Sequence, residues 1–404
     1  MQEKNFFVLT YPKIIAIAII LFPLFNCFID VSKIGYYDEI IGAISIFIIF
    51  KYKLENYLEK CDKWILYGMI LITLIGIISN ISSKLISNIF AISVDILWLW
   101  KTFATFLAFK YISARNNRVI KVLQILCPLA KIAIVFVCAS ALIGQFIDIG
   151  VTGKTVIGPI KAFYFFWQNG IQTGWLLFCC MLVIVGYERN KKIIRMYFVF
   201  TLIPLILTFS SLVLCWCFIT VSVLFFVREN KKIKVRSIIL IVAGVVALNA
   251  ADVSTYLLGG HVRGTLIKYG IVTAITYFPF GSGFATYGSE MAKRYYSQLY
   301  IKYGWANTWA FGKDSNYLND NFFASIVGQF GFIGFAIYLT VLCALFVQIN
   351  SKSLDKYERV FSIATVLTII AVMIGSASAK SIMGICTFAV LGIISSKRLV
   401  VQNV

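Results

Sequence analysis

Apolar residues dominate the chain in long runs, broken at intervals by short polar stretches. A helix needs about 20 apolar residues to cross a bilayer's hydrocarbon core. Runs of that kind predict spans at 14–30, 36–50, 64–82, 86–109, 122–146 and 173–187, then at 196–210, 211–227, 237–250, 322–350, 360–379 and 382–396. The expected fold is therefore an all-α polytopic membrane protein: about 12 transmembrane helices forming a single integral membrane domain over residues 1–404. Two polar stretches are too long to be simple turns. One covers 251–321, a large extracytoplasmic loop expected to carry short helices, and the other covers 147–173.

Composition supports this reading. Of 404 residues, 60% are hydrophobic and 13% charged, too few charges to solvate a soluble chain of this length. The formal net charge of +20 points at first to nucleic acid. Placing the charges removes that implication. With the N-terminus in the cytoplasm, the inner segments (51–63, 110–121, 188–195, 228–236, 351–359 and the tail, with Lys4 and Lys13) hold 24 of the 37 basic residues, and the short outer loops hold five. That asymmetry places both termini inside and makes the excess charge a topology signal, so no nucleic-acid partner is expected. The 10 cysteines fall almost entirely within apolar runs, and no CxxC pair suggests a metal.

Candidate chemistry concentrates in 251–321. The run LIKYGIVTAITYFPFGSGFATYG (266–288) reads as a short amphipathic helix followed by a glycine turn, with Gly281 and Gly283 permitting close approach of backbone. His261, the sole histidine, lies two residues before Arg263 in GGHVRG, and a guanidinium suits phosphate oxygens. Arg294 is a further cation of this loop, and Lys161 one of the smaller loop. Asp320 stands at the mouth of the tenth span, where a helix cap and a catalytic carboxylate are both open readings. Tyr295, Tyr296, Tyr300, Tyr303, Trp305 and Trp309 suit either sugar stacking or an interfacial belt. Within the spans, Asp95, Lys101 and Lys131 hint at a polar interior.

The order of these features resembles the O-antigen polymerase (Wzy-type) family and its relatives, the O-antigen ligases. The resemblance is carried by Arg263, the turn Pro279-Phe280-Gly281-Ser282-Gly283, the segment Asn319-Asp320-Asn321, the motif Gly331-Phe332-Ile333-Gly334 and the aromatic loop GPIKAFYFFWQN (158–169). Two departures stand out. LTFSSLVLCWC (207–217) lacks an arginine that many members carry there, and Asp320 and Asn321 stand where ligases place a histidine, which favours polymerase. The resemblance implies a surface-polysaccharide repeat-unit polymerase in a bacterial inner membrane. It would be a glycosyltransferase needing neither metal nor cofactor, moving a glycan from undecaprenyl diphosphate to a lipid-linked repeat unit. Its partners would be the undecaprenyl-diphosphate-linked oligosaccharide and the lipid bilayer, with a chain-length regulator and a flippase nearby. Arg263 would hold the diphosphate with help from Arg294 or Lys161. Asp320 would be the base, with His261 its rival, and Gly281, Gly283 and Asn321 would contact substrate. A flippase or other transporter, or a ligase-like transferase, remains the alternative.

Overall fold

A computed structural model describes residues 37–51, 59–115, 120–167, 169–229, 231–248, 254, 261–350 and 354–402. The first expected span, 14–30, lies outside them. Each of the other eleven coincides with a helix. In chain order these are α1 (Tyr37–Lys51), α2 (Lys60–Ser83), α3 (Ile89–Arg115), α4 (Ile120–Phe146), α5 (Gly170–Tyr187), α6 (Lys191–Leu207), α7 (Ser211–Phe226) and α8 (Val235–Leu248). The large loop contributes α9 (Val262–Thr276) and two single-turn helices, α10 (Glu290–Arg294) and α11 (Gln298–Lys302). The chain then closes with α12 (Phe322–Ile349), α13 (Lys356–Gly375) and α14 (Ile382–Gln402). Among the described residues, α2, α3, α4, α5 and α12 are long and apolar enough to cross a membrane, and Ser211–Phe226, Val235–Ala247 and Ile382–Lys397 are shorter apolar helices. The smaller polar stretch forms a two-stranded antiparallel hairpin, β1 (Thr152–Ile157) with β2 (Ile160–Phe163).

α3 is the centre of one half of the bundle, packed between α14 and α1, while α2 and α9 both lie along α12. Leu99, Phe103, Phe106 and Leu107 of α3 are fully enclosed in the main apolar core. Many other apolar side chains remain exposed along helix faces, such as Leu71, Leu74 and Ile78 of α2 and Ile132 and Phe136 of α4. An apolar face without protein cover is the surface a bilayer solvates.

The interior holds more charge than the spans alone indicate. Lys110, expected in an inner basic loop, is a buried member of α3, because that helix continues to Arg115. Its ammonium pairs with Asp62 at 2.7 Å and Glu59 at 3.0 Å, and Gln348 donates to the second Asp62 oxygen at 2.6 Å. Lys101 pairs with Asp38 and, at 3.2 Å, with Glu39 of α1. Lys380, expected in a short outer loop, is buried as well. It donates to the Leu99 carbonyl and the Thr102 hydroxyl, its ammonium lying over the rings of Trp98, Phe103 and Phe322. Lys110 and Lys380 sit in connecting segments by sequence yet are enclosed, since a long lysine stem can fold back into a gap between helices.

Removing one partner of a buried pair strands the other charge, at a cost of about 3–5 kcal/mol. Lys110→Met is expected to lower the thermal unfolding midpoint in detergent markedly, and adding Asp62→Asn to recover part of the loss. An unchanged midpoint for Lys110→Met would show that the triad contributes nothing.

Candidate functional site

The site is built on a break in a helix. At Gly331 the backbone of α12 leaves helical geometry (φ 64°, ψ −170°). The carbonyls of Gly328 and Gln329 therefore need donors from elsewhere, and the glycine turn supplies them. Ser282 N–H donates to Gly328 O at 3.0 Å and Gly283 N–H to Gln329 O at 2.8 Å. On its other side the turn rests on the end of α2. Ser79 and Ser83 donate to the carbonyls of Phe280 and Ser282, each at 2.8 Å, and the Asn80 amide brackets the backbone of Phe284 at 2.8 and 2.9 Å. From α3, one carboxylate oxygen of Asp95 accepts from Ala285 N–H at 2.6 Å and from the Gln329 amide at 2.9 Å. Residues 281–289 are buried throughout.

The turn is thus a wedge enclosed between α2, α3 and α12 and not an open turn of the polar stretch. It also recasts two residues expected to contact substrate. Gly281 (φ +77°) abuts the backbone at Gly331, where a Cβ would come within 2.4 Å of nitrogen, and Gly283 (φ +96°) abuts Asn80, where a Cβ would come within 2.7 Å. Both N–H groups are committed, to Tyr277 O and Gln329 O. These glycines pack helices together.

Beyond the wedge, residues 288–318 fold around their own aromatic core. Trp305 stacks between Tyr300 and Phe311, Tyr300 hydroxyl accepts from Gly288 N–H at 2.8 Å, and Tyr287 donates to Leu266 O of α9. Tyr296, Tyr300 and Trp305 are therefore core residues, neither belt nor stacking platform. Trp309, 82% exposed and in edge contact with Tyr317, is the aromatic presented to solvent.

Three residues singled out by sequence meet at the junction of α9 and α12. His261 caps α9, its Nδ1 accepting from Arg263 N–H at 3.3 Å. Arg263 Nε donates to Asp320 at 2.9 Å. Asp320 precedes Asn321, whose side chain caps α12 by accepting from Ala324 N–H at 2.9 Å, so Asn321 is first a structural cap. Partial burial pushes the Asp320 carboxyl above the usual range, while Arg263, and more weakly His261, pull it back. Next along the chain, Asn319 donates to Glu290 at 2.5 Å, tying Asp320 to the first residue of α10. Arg294, one turn on, lines a cavity of about 220 Å³ with Glu39, Val94, Asp95, Trp98, Glu290 and Met291. Arg263 thus pairs directly with Asp320, whereas Arg294 lines the cavity that also includes Glu290, the partner of Asn319.

Lys161 does not join this group. It lies on β2, its backbone held by both ends of the Gln145 amide, and the hairpin packs on α4 and α6. Sequence reasoning passed over Glu290, Glu39 and Trp98. Glu290 left a signal, being the single glutamate of 251–321. Glu39 and Trp98 left none, since they meet the loop only through packing of α1 and α3.

No protein-family model matches the chain, and no curated protein does.

A methyl group at Gly283 meets the Asn80 backbone in a conformation that itself costs about 1–3 kcal/mol outside glycine. Gly283→Ala is expected to lower the unfolding midpoint by several degrees, whereas Gly304→Ala, with open space around its Cβ, suffers the backbone cost alone. Equal shifts for the two would exclude the wedge as a packing device.

Proposed function

We propose that the chain is a membrane glycosyltransferase that polymerises lipid-linked glycan repeat units. The observation that supports it is the Arg263–Asp320 pair with His261 at its side, an arginine for phosphate and a carboxylate for a hydroxyl, held at the mouth of an apolar bundle. The donor is a glycan on undecaprenyl diphosphate, which already carries a good leaving group. The acceptor hydroxyl attacks the anomeric carbon. The new C–O bond forms as the bond from that carbon to the phosphate oxygen breaks, and undecaprenyl diphosphate departs with the electron pair. Asp320 takes the hydroxyl proton. Arg263 offsets charge developing on the diphosphate. Electrostatic stabilisation and alignment of this sort are the dominant contributions such a site makes. Arg263 also has a second duty: by pairing with Asp320 it offsets part of the upward pull that burial exerts on that carboxyl.

A transporter is the second reading, and one observation favours it. α3 carries Asp95, Lys101 and Lys110 in the interior, with carboxylates of α1 and α2 facing the two lysines. Charge aligned along a membrane helix is a feature of translocation pathways. The two readings differ in where substrate stops. Loss of a polymerase leaves single repeats at the cell surface, and loss of a flippase leaves them inside.

Arg263→Ala is expected to abolish polymer while single repeats still reach the surface; ladders of wild-type length from that variant would refute the assignment. With Asp320 as base, activity falls on the acid side as the carboxylate is protonated. Because burial raises its pKa, that fall lies above the range of an ordinary aspartate. Asp320→Asn should leave a low rate without this limb, and a variant that keeps it places the base elsewhere.

A further inference from the structure

The cavity beside α10 contains an unusual pair of atoms. Asp95 is 1% exposed, and its Oδ2 is used twice, by Ala285 N–H and the Gln329 amide, while its Oδ1 has no hydrogen-bond partner. Glu39 gives Oε1 to Lys101, and its Oε2 is likewise buried without a partner. Both residues line the same cavity. A buried acceptor left unsatisfied costs roughly 1–3 kcal/mol, more when charged; the Ser289 hydroxyl lies close to Asp95 and the Asp38 carboxyl close to Glu39, but neither completes a hydrogen bond to these two oxygens, so both favour a further donor.

The remaining wall defines that donor. Among the described residues, Glu290 adds a third carboxylate to the wall and Arg294 a cation, a balance that disfavours phosphate. Among the described residues no group of three His, Cys, Asp or Glu side chains is placed to hold a metal ion, so a dehydrated cation does not fit. Trp98 contributes an indole fixed from behind by Phe322 and the Lys380 ammonium. Carboxylate acceptors around an indole, with one arginine to donate, suit a ring that carries hydroxyls on its edge and C–H groups on its face. The volume, about 220 Å³, accommodates one such ring.

We propose that this cavity is a subsite for one pyranose unit of the glycan, its hydroxyls donated to Asp95 Oδ1, Glu39 Oε2 and Glu290. This rests on the polymerase reading for its substrate class, and it gives Arg294 a sugar rather than the diphosphate to contact. The Asn319–Glu290 hydrogen bond then connects the subsite to Asp320, so that an occupied cavity and a positioned base share one short segment.

The test uses the full chain in lipid nanodiscs and the methyl glycosides of glucose, galactose, mannose and N-acetylglucosamine, followed by saturation-transfer NMR. At least one glycoside is expected to bind saturably. Glu290→Gln, at an exposed position that the fold tolerates, should weaken it at least tenfold, and Asp95→Asn should do the same. Arg263→Ala should bind as wild type, because Arg263 does not line the cavity. No saturable binding by any of the four, or binding indifferent to Glu290→Gln, overturns the subsite and leaves the cavity to water. Polymer formation without glycoside binding sinks the subsite alone. Glycoside binding by a chain that polymerises nothing sinks the polymerase reading alone.

Discussion

The structure depends on one exchange of hydrogen bonds. A turn enclosed by helices must satisfy every backbone polar group within protein, since neither lipid nor water is there to help. Residues 280–285 meet that requirement only because α12 is interrupted at Gly331 and releases two carbonyls where the turn has two N–H groups to give. Neither irregularity is tolerable alone. An unbroken α12 would leave Ser282 and Gly283 without acceptors, and a loop held away from the bundle would leave the broken helix with bare carbonyls. Asn80, Ser79, Ser83 and Asp95 complete the set from two further helices, so three separate helices converge on six residues of turn.

That convergence explains what the sequence could disclose. Long apolar runs declare themselves, and eleven expected spans match helices because hydropathy depends on local composition. The association of His261, Arg263 and Asp320 was also legible, as residue types suited to phosphate and hydroxyl chemistry in one polar stretch. The burial of 281–289 was not. A Gly-Ser-Gly run looks the same whether it turns in water or between helices, and its partners Asn80 and Asp95 lie some 190 to 204 residues earlier. The aromatic residues misled for a related reason: Tyr300 and Trp305 have the composition of a binding surface but are consumed by the small core that stiffens the loop. Lys110 and Lys380 were counted as loop charges because helix ends are read from polarity, and a buried ion pair or an aromatic box reverses that rule.

The interior charges divide into two kinds. Lys110, Asp62, Glu59 and Gln348 pair with one another, linking α2, α3 and α12 at the end far from the loop, although Gln348 Oε1 keeps no partner. Such a cluster fixes helix register more than it adds stability, because desolvation offsets most of the attraction. Asp38, Glu39 and Lys101, at the loop end, differ in that the unpartnered oxygen, Glu39 Oε2, belongs to a residue that lines a cavity. Incomplete satisfaction beside a cavity is the expected mark of a place where something else binds.

Asp95 belongs to both descriptions, and this joins scaffold to site. Through Oδ2 it anchors the turn and the broken stretch of α12, while its residue lines the cavity that Glu290 and Arg294 close from the loop side. The turn leads directly into Ser289, the cap of α10, whose hydroxyl accepts from Ala292 N–H. A side chain that clamps the wedge therefore also fixes where α10 begins, and α10 in turn holds Asn319 beside Asp320. Geometry at the Arg263–Asp320 pair is thus set by a chain of rigid contacts running from α3 through the wedge. The links from Asp95 through the turn to Ser289 are buried from water, whereas Asn319–Glu290 is exposed and Arg263–Asp320 half-buried, so the rigid part of the chain lies under the site and its last links face the rim of the apolar bundle.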